Sequence, residues 1–140
     1  MADSIPRSYL KEITDLLAAE TLKVAFFTSA LSGYTETAAS SLYSALSGEV
    51  SASGTGYTTG GYTLASLTSA TIGSTNAVGV TAAAVSLPSS STITCRYLVV
   101  YNSTTSKIRA VKDLSYDRIV SNGSFTITWD ATNGVIKVSA

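Results

Sequence analysis

The sequence predicts an all-β fold, a β-sandwich or jelly-roll-like arrangement preceded by one short N-terminal α-helix. Ser and Thr make up nearly a third of the 140 residues, and charged residues only 13%, against roughly 25% in an ordinary soluble domain. Thr, Val, Ile and Tyr suit a pleated, half-buried surface, while Ser and Gly suit the turns between strands. Apolar residues recur mainly with a period of two, in runs broken by turn-forming residues about every 8 to 12 positions. One helix followed by roughly seven such strands fits packed sheets or a closed β-fold. The length allows one good core, so residues 1–140 are read as a single domain with residues 1–20 as its helical segment.

Within that segment Ser4 is placed to cap the helix and Pro6 suits its first turn. Tyr9, Leu10, Ile13, Leu16 and Leu17 recur at helical spacing, and Lys11, Glu12 and Asp15 face water. So short a stripe predicts a helix laid against the domain's own body or against a neighbouring subunit. Leu22-Lys23-Val24-Ala25-Phe26-Phe27 follows as a strand, with Leu22, Val24 and Phe26 on one face. Residues 29–41 are small and polar and read as a loop, and Leu42-Tyr43-Ser44-Ala45-Leu46 as a helical turn.

From residue 50 to residue 95 there is no charged side chain. Disordered chains are usually charged and poor in β-branched residues, so this interval reads as ordered surface that meets other protein. It opens with Gly54-Thr55-Gly56-Tyr57-Thr58-Thr59-Gly60-Gly61-Tyr62 and continues as strands over residues 64–72 and 77–85. Residues 92–101 then alternate Ile93, Cys95, Tyr97, Val99 and Tyr101 with Thr94, Arg96, Leu98 and Val100. Both sets are partly apolar, which predicts a central strand covered on two sides. Asn102-Ser103-Thr104-Thr105-Ser106 is a turn, and residues 107–111 form the returning strand. A closing hairpin is expected between Phe125-Thr126-Ile127-Thr128-Trp129 and Val135-Ile136-Lys137-Val138, through a turn whose Asn133-Gly134 suits positive φ.

The composition removes whole classes of chemistry. There is no His and one Cys, Cys95. That excludes a His-based zinc site, a cysteine cluster, a Ser-His-Asp triad and an intramolecular disulfide. Nine basic residues balance nine acidic ones, so the basic stripe of a nucleic-acid binder is not expected. A chain without net charge also lacks the self-repulsion that keeps monomers apart, which suits an assembly. No apolar run approaches the ~18 residues needed to span a bilayer, and Met1-Ala2-Asp3-Ser4 lacks the start of a signal peptide. Synthesis in a cytoplasm is the matching expectation.

The local motifs fail as catalytic signatures. The glycine-rich loop has no lysine after Gly60-Gly61 and has Thr59 where a dinucleotide fingerprint needs glycine. Ser8-Tyr9-Leu10-Lys11 matches Ser-x-x-Lys without the companion motifs of the penicillin-interacting enzymes. Cys95 reads as a buried, inert thiol. Glu36, Glu49 and Asp130 are the acids near loops, and no pattern pairs them for glycoside hydrolysis, so they read as solvated. Asp130-Ala131-Thr132-Asn133-Gly134 lacks the repeated acids of a calcium loop and reads as a turn. No catalytic residue, metal ligand, cofactor or small-molecule substrate is expected.

The tyrosines point elsewhere. Tyr adds contact area at small entropic cost and is enriched in interfaces. Tyr57 and Tyr62 stand in the glycine-rich loop, where interface contact is expected ahead of sugar stacking. With Thr58, Thr59, Gly60 and Gly61, and with Tyr9, Leu10 and Ile13 of the helix, they form the candidate assembly contacts.

A short N-terminal helix runs into Thr21-Leu22-Lys23-Val24-Ala25-Phe26, followed by Glu49-Val50 and the glycine-rich Gly54 to Gly61. Then come Ile93-Thr94-Cys95-Arg96-Tyr97-Leu98-Val99-Val100-Tyr101 and Asn122-Gly123-Ser124-Phe125-Thr126-Ile127-Thr128-Trp129-Asp130. This order of features resembles a group of small bacteriophage virion proteins, the capsid decoration (cement) and other minor head proteins. The resemblance implies a β-rich, oligomeric virion protein without a cofactor. Its expected partners are the major capsid protein and copies of itself as a homotrimer, on the outer surface of the capsid. An interface near ~1,600 Å² would suffice for specific attachment, and low charge lessens its desolvation cost. A neck or tail component and a glycan-binding fibre module are the alternatives, and an enzyme ranks last.

Overall fold

A computed structural model describes residues 6–37, 41–71, 77–130 and 132–139. The chain is mostly β, with one α-helix near its N-terminus among the described residues, and its sheets are antiparallel. The described elements group into two compact units.

One unit draws on three separated segments, Met1–Thr21, Leu64–Ala84 and Thr128–Ala140. Its helix α1 spans Arg7–Ala18, with Pro6 at the N-cap position in extended conformation. The expected cap Ser4 lies outside the described residues. Leu10 and Thr14 are buried, Ile13 and Leu17 half-buried, and Tyr9 and Leu16 exposed. The buried stripe is therefore narrower than the spacing predicts, because Thr14 takes a place in it. Its hydroxyl donates to the Lys11 carbonyl at 3.0 Å and meets the Ser69 hydroxyl at 2.6 Å, so its polarity is satisfied.

The unit's sheet follows from short segments carrying Thr, Val and Ile, two of which pair on either side of a central strand. Taking strands in chain order, β1 is Leu22–Ser32, β2 Ser47–Glu49, β3 Tyr62–Thr63, β4 Thr68–Thr71 and β5 Ala77–Thr81. Next are β6 Val85–Ser86, β7 Ser91–Asn102, β8 Ile108–Gly123, β9 Thr126–Ile127 and β10 Ile136–Ser139. In this unit β5 lies between β4 and β10, with Ser69 opposite Val80 and Ile136 opposite the same Val80 on the other side. Val78 and Val80 are buried, as is Val135.

The second unit, Leu22–Thr63 with Val85–Ile127, holds the order β2-β1-β7-β8, with β3 also on β1 and a separate β6-β9 pair. β1 and β7 run from Leu22 opposite Asn102 to Phe27 opposite Tyr97. Because both strands are apolar at odd and even positions, both faces are buried. Ala25, Phe27, Val99 and Tyr101 form one cluster, closed by Tyr43 and Leu46. On the other face Phe26 packs against Tyr57, Tyr62 and Phe125, with ring centroids 5.3, 5.9 and 5.5 Å away. A short 3-10 helix over Tyr43–Ala45 matches the expected helical turn.

Four expectations need correction. The strands expected over residues 64–72 and 77–85 are shorter, at Thr68–Thr71 and Ala77–Thr81. β1 runs on to Ser32, through part of the expected loop, because Ser32 pairs with Ser47 of β2. The returning strand does not stop at residue 111; β8 is 16 residues long and follows β7 back to Ser91. The closing hairpin does not pair with itself. β9 pairs with β6, and β10 pairs with β5. Its turn does form: the Asp130 carboxylate accepts the Thr132 and Asn133 N–H groups at 2.8 and 2.7 Å, and Gly134 takes φ +57°. Alternation marked both strands, but each had a better partner earlier in the chain.

Candidate functional site

The glycine-rich loop, expected as a contact surface, turns Tyr57 and Gly61 inward. The outer edge of β1 is covered in two places, by β3 at Lys23 and Val24 and by β2 at Phe27. Between them the Phe26 carbonyl accepts from the Val50 N–H at 2.9 Å, and the Phe26 N–H donates to the Tyr57 hydroxyl at 3.0 Å. A side chain thus takes the position of a missing strand. Tyr57 is only 3% exposed and stacks on Phe26. Gly61 takes φ +75°, and a Cβ there would stand 1.9 Å from the Val24 carbonyl oxygen, so only glycine fits.

Glu49 organises this region. Its Oε1 accepts from the Tyr57 hydroxyl at 2.6 Å and the Gly60 N–H at 2.8 Å, and its Oε2 from the Tyr43 hydroxyl at 2.7 Å. The Tyr101 hydroxyl donates to the Gly60 carbonyl at 2.7 Å, and its ring stacks on Tyr43 at 4.1 Å. Burial, then the carboxylate beside it, holds the Tyr43 and Tyr57 hydroxyls well above the ordinary phenol range. Glu49 was expected to be solvated, and the structure corrects this: it is half-buried and engaged with three donors. The available signal was its isolation, since it is the only charged residue between Glu36 and Arg96. A lone charge kept within an uncharged stretch has a local partner to meet.

The candidate assembly contacts divide accordingly. Tyr57, Gly61 and Leu10 are buried in the units that contain them and present no surface, because their side chains or close backbone approach complete those cores. Tyr62, Gly60 and Ile13 are half-buried, with the Tyr62 hydroxyl donating to the Gly56 carbonyl at 3.2 Å. Thr58, Thr59 and Tyr9 are exposed. Cys95 is fully buried, and burial pushes its thiol up to about 12. Glu36 and Asp130 are exposed. Among the described residues no group of three or more metal-ligating side chains comes together, and no helix is long and apolar enough to cross a membrane.

Tyr9 and Leu16 of α1 face outward, and so does a surface on β8, which forms the end of its sheet. Cys95 pairs with Arg118 and Tyr97 with Asp113, so residues 114–117 stand opposite the single residue Arg96. Such a bulge bends the strand and re-aims its side chains. Arg96 clamps its base, with Nε donating to Asp113 Oδ1 at 2.7 Å, and the Ser115 N–H donates to the same oxygen at 2.7 Å. Ser115 takes φ +70°. The hydrogen-bonded Arg96 guanidinium keeps the Asp113 carboxyl below the usual carboxylate range.

On this bulge Tyr116 is 57% exposed and Ile119 is 72% exposed. The Arg118 guanidinium lies 3.7 Å from the centre of the Tyr116 ring and donates to its hydroxyl. Ile119 also lines an open groove of about 390 Å³, where β7 and β1 have parted beyond Phe27. Val50, Thr55, Thr94 and Val120 share that lining. Sequence reasoning missed this surface. The signal was a slip in alternation: Leu114 and Tyr116 hold even positions, and the next apolar residue is Ile119.

Comparison with family models, curated proteins and solved structures finds no match to this chain.

Proposed function

We propose that this chain is a non-enzymatic bacteriophage structural protein, a capsid decoration (cement) protein. In this reading it attaches to the major capsid protein and to copies of itself as a homotrimer, and stabilises the outer surface of the head. The observation that carries the reading is the outward-facing pair Tyr116 and Arg118 beside Ile119, on a strand braced by the Arg96–Asp113 ion pair. Tyr and Arg are the residues most often found at the energetic centres of interfaces. The groups best suited to chemistry are engaged elsewhere: the Cys95 thiol is buried and Glu49 is taken up by two tyrosines and a backbone N–H. The absence of net charge removes one barrier to close packing of many copies.

A neck or tail component is the second reading, favoured by the same exposed edge. A glycan-binding fibre module has less support, because the Tyr57 and Tyr62 rings that would stack on sugar pack against Phe26. The experiment is quantitative mass spectrometry of purified particles, with thermal melting of heads made without this chain. Many copies per head and earlier melting are expected. A few copies at one vertex would favour the neck or tail, and particles free of the chain would overturn both.

A further inference from the structure

We infer that Tyr43, Tyr57 and Gly60 form a receptor for a small carboxylate, and that Glu49 is the ligand it holds from within the chain. Emptied of that side chain, the receptor takes acetate from solution. This contact lies within one unit and holds whether or not the chain joins a particle. The donors converge from two separated segments. The Tyr43 hydroxyl donates to Oε2 at 2.7 Å, and the Tyr57 hydroxyl and Gly60 N–H donate to Oε1 at 2.6 and 2.8 Å. Glu49 makes no salt bridge among the described residues. Its charge is therefore held by oriented hydrogen bonds, which are strongest where the acceptor is ionised.

Each donor is also fixed by contacts that do not involve Glu49. The Tyr57 hydroxyl accepts from the Phe26 N–H at 3.0 Å, which turns its own proton toward the carboxylate, and its ring stacks on Phe26. The Tyr43 ring lies on Tyr101, with centroids 4.1 Å apart and planes 6° from parallel. The Tyr101 hydroxyl donates to the Gly60 carbonyl at 2.7 Å, and the Gly61 N–H to the Thr58 carbonyl at 2.9 Å. These bonds hold the turn that aims the Gly60 N–H. Burial raises both phenols well above their ordinary range, so they remain donors at neutral pH. Donors fixed in advance bind charge without first rearranging.

The vacated space sets which acid fits. Glu49→Ala removes Cγ and the carboxylate group, and acetate supplies those same atoms. Glu49 is half-buried, so the space it leaves is open to solvent. Acetamide has the same shape but turns N–H groups toward donors, which then stay unpaired. Propionate carries a further carbon, which meets the Cβ that remains at position 49. In the original chain the receptor is already filled, so acetate adds nothing.

The test is urea unfolding of the full chain at fixed ionic strength, with sodium acetate replacing sodium chloride up to about 100 mM, because a ligand of the folded state raises its stability with concentration. Glu49→Ala is expected to lose midpoint in chloride and to recover about half of that loss in acetate. Acetamide restores nothing, and propionate restores less than acetate. The original chain and Glu49→Gln, whose side chains fill the receptor, do not respond. Adding Tyr43→Phe to Glu49→Ala removes one donor to the charge and weakens the acetate affinity at least ~10-fold. Should Glu49→Ala be unfolded in chloride, folding regained in acetate and not in acetamide supports the receptor. Three outcomes overturn it: a Glu49→Ala chain that acetate does not stabilise or refold, a rescue that acetamide matches, or a rescue that Tyr43→Phe leaves intact.

Discussion

The loop from Tyr57 to Tyr62 and the bulge from Leu114 to Ile119 are built from similar material and face opposite ways. Each carries tyrosine, each departs from regular backbone with a positive φ, and each adjoins the same sheet. Tyr57 is 3% exposed, whereas Tyr116 is 57% exposed. The difference lies in what the backbone nearby still needs. Beside the loop, Phe26 has an N–H that no strand satisfies, and the Tyr57 hydroxyl accepts from it. A buried donor left alone costs about 1 to 3 kcal/mol, so the ring is drawn in behind its hydroxyl. Beside the bulge, Arg96 and Asp113 satisfy each other, Asp113 satisfies Ser115, and nothing recruits Tyr116 inward. Burial here follows hydrogen-bond demand more closely than it follows the hydrophobicity of the ring.

That distinction predicts that substitutions in the loop destabilise the protein and those on the bulge do not. Gly61→Ala is the most severe case, since its Cβ meets the Val24 backbone and φ is positive. A loss of about 3 kcal/mol or more is expected, measured by urea unfolding. Glu49→Gln puts an amide N–H₂ in a site built from donors, and about 2 kcal/mol should be lost in the same assay. Tyr57→Phe should cost about 1 to 2 kcal/mol at neutral pH, because it orphans the Phe26 N–H.

The tyrosines also give the comparison a pH signature. Burial raises the Tyr57 phenol above its ordinary value of 10.0, so the unfolded chain ionises first. Its stabilisation is therefore complete below pH 10 and lost as pH rises beyond it. Urea midpoints between about pH 9 and pH 11 should fall steeply for the original chain and less so for Tyr57→Phe. The smallest effect belongs to the bulge: Tyr116→Ala and Ile119→Thr should each leave stability within about 0.5 kcal/mol. A large loss at Tyr116, or a negligible one at Gly61, would reverse the assignment of inward and outward surfaces.

Much of the fold is legible in the residues. The central strand is visible because Ile93 to Tyr101 is apolar at alternate positions on both faces, and β7 occupies that stretch. The helix is visible from Leu10, Ile13 and Leu17, although Thr14 replaces Leu16 on the buried side once Ser69 is there to meet its hydroxyl. Pairing is less legible than the strands themselves. Ile127 and Ile136 look like two halves of a hairpin, yet their neighbours are Val85 and Val80, more than forty residues earlier. The outward surface is the hardest part to foresee. A period-two count sees Lys112, Asp113, Asp117 and Arg118 as an ordinary polar segment, and only the shift of phase from Tyr116 to Ile119 betrays the extra residues.

The separation of β9 from β10 has a kinetic consequence. The unit containing α1 is assembled from three stretches of chain, with the whole of the other unit synthesised between them. Its central β5 acquires β4 early, but must wait for β10 until after residue 135 has left the ribosome. Contacts so distant in sequence form slowly. The edge of β5 is thus open for a time during synthesis, when a chaperone, or another nascent chain, could reach it before its own final strand does.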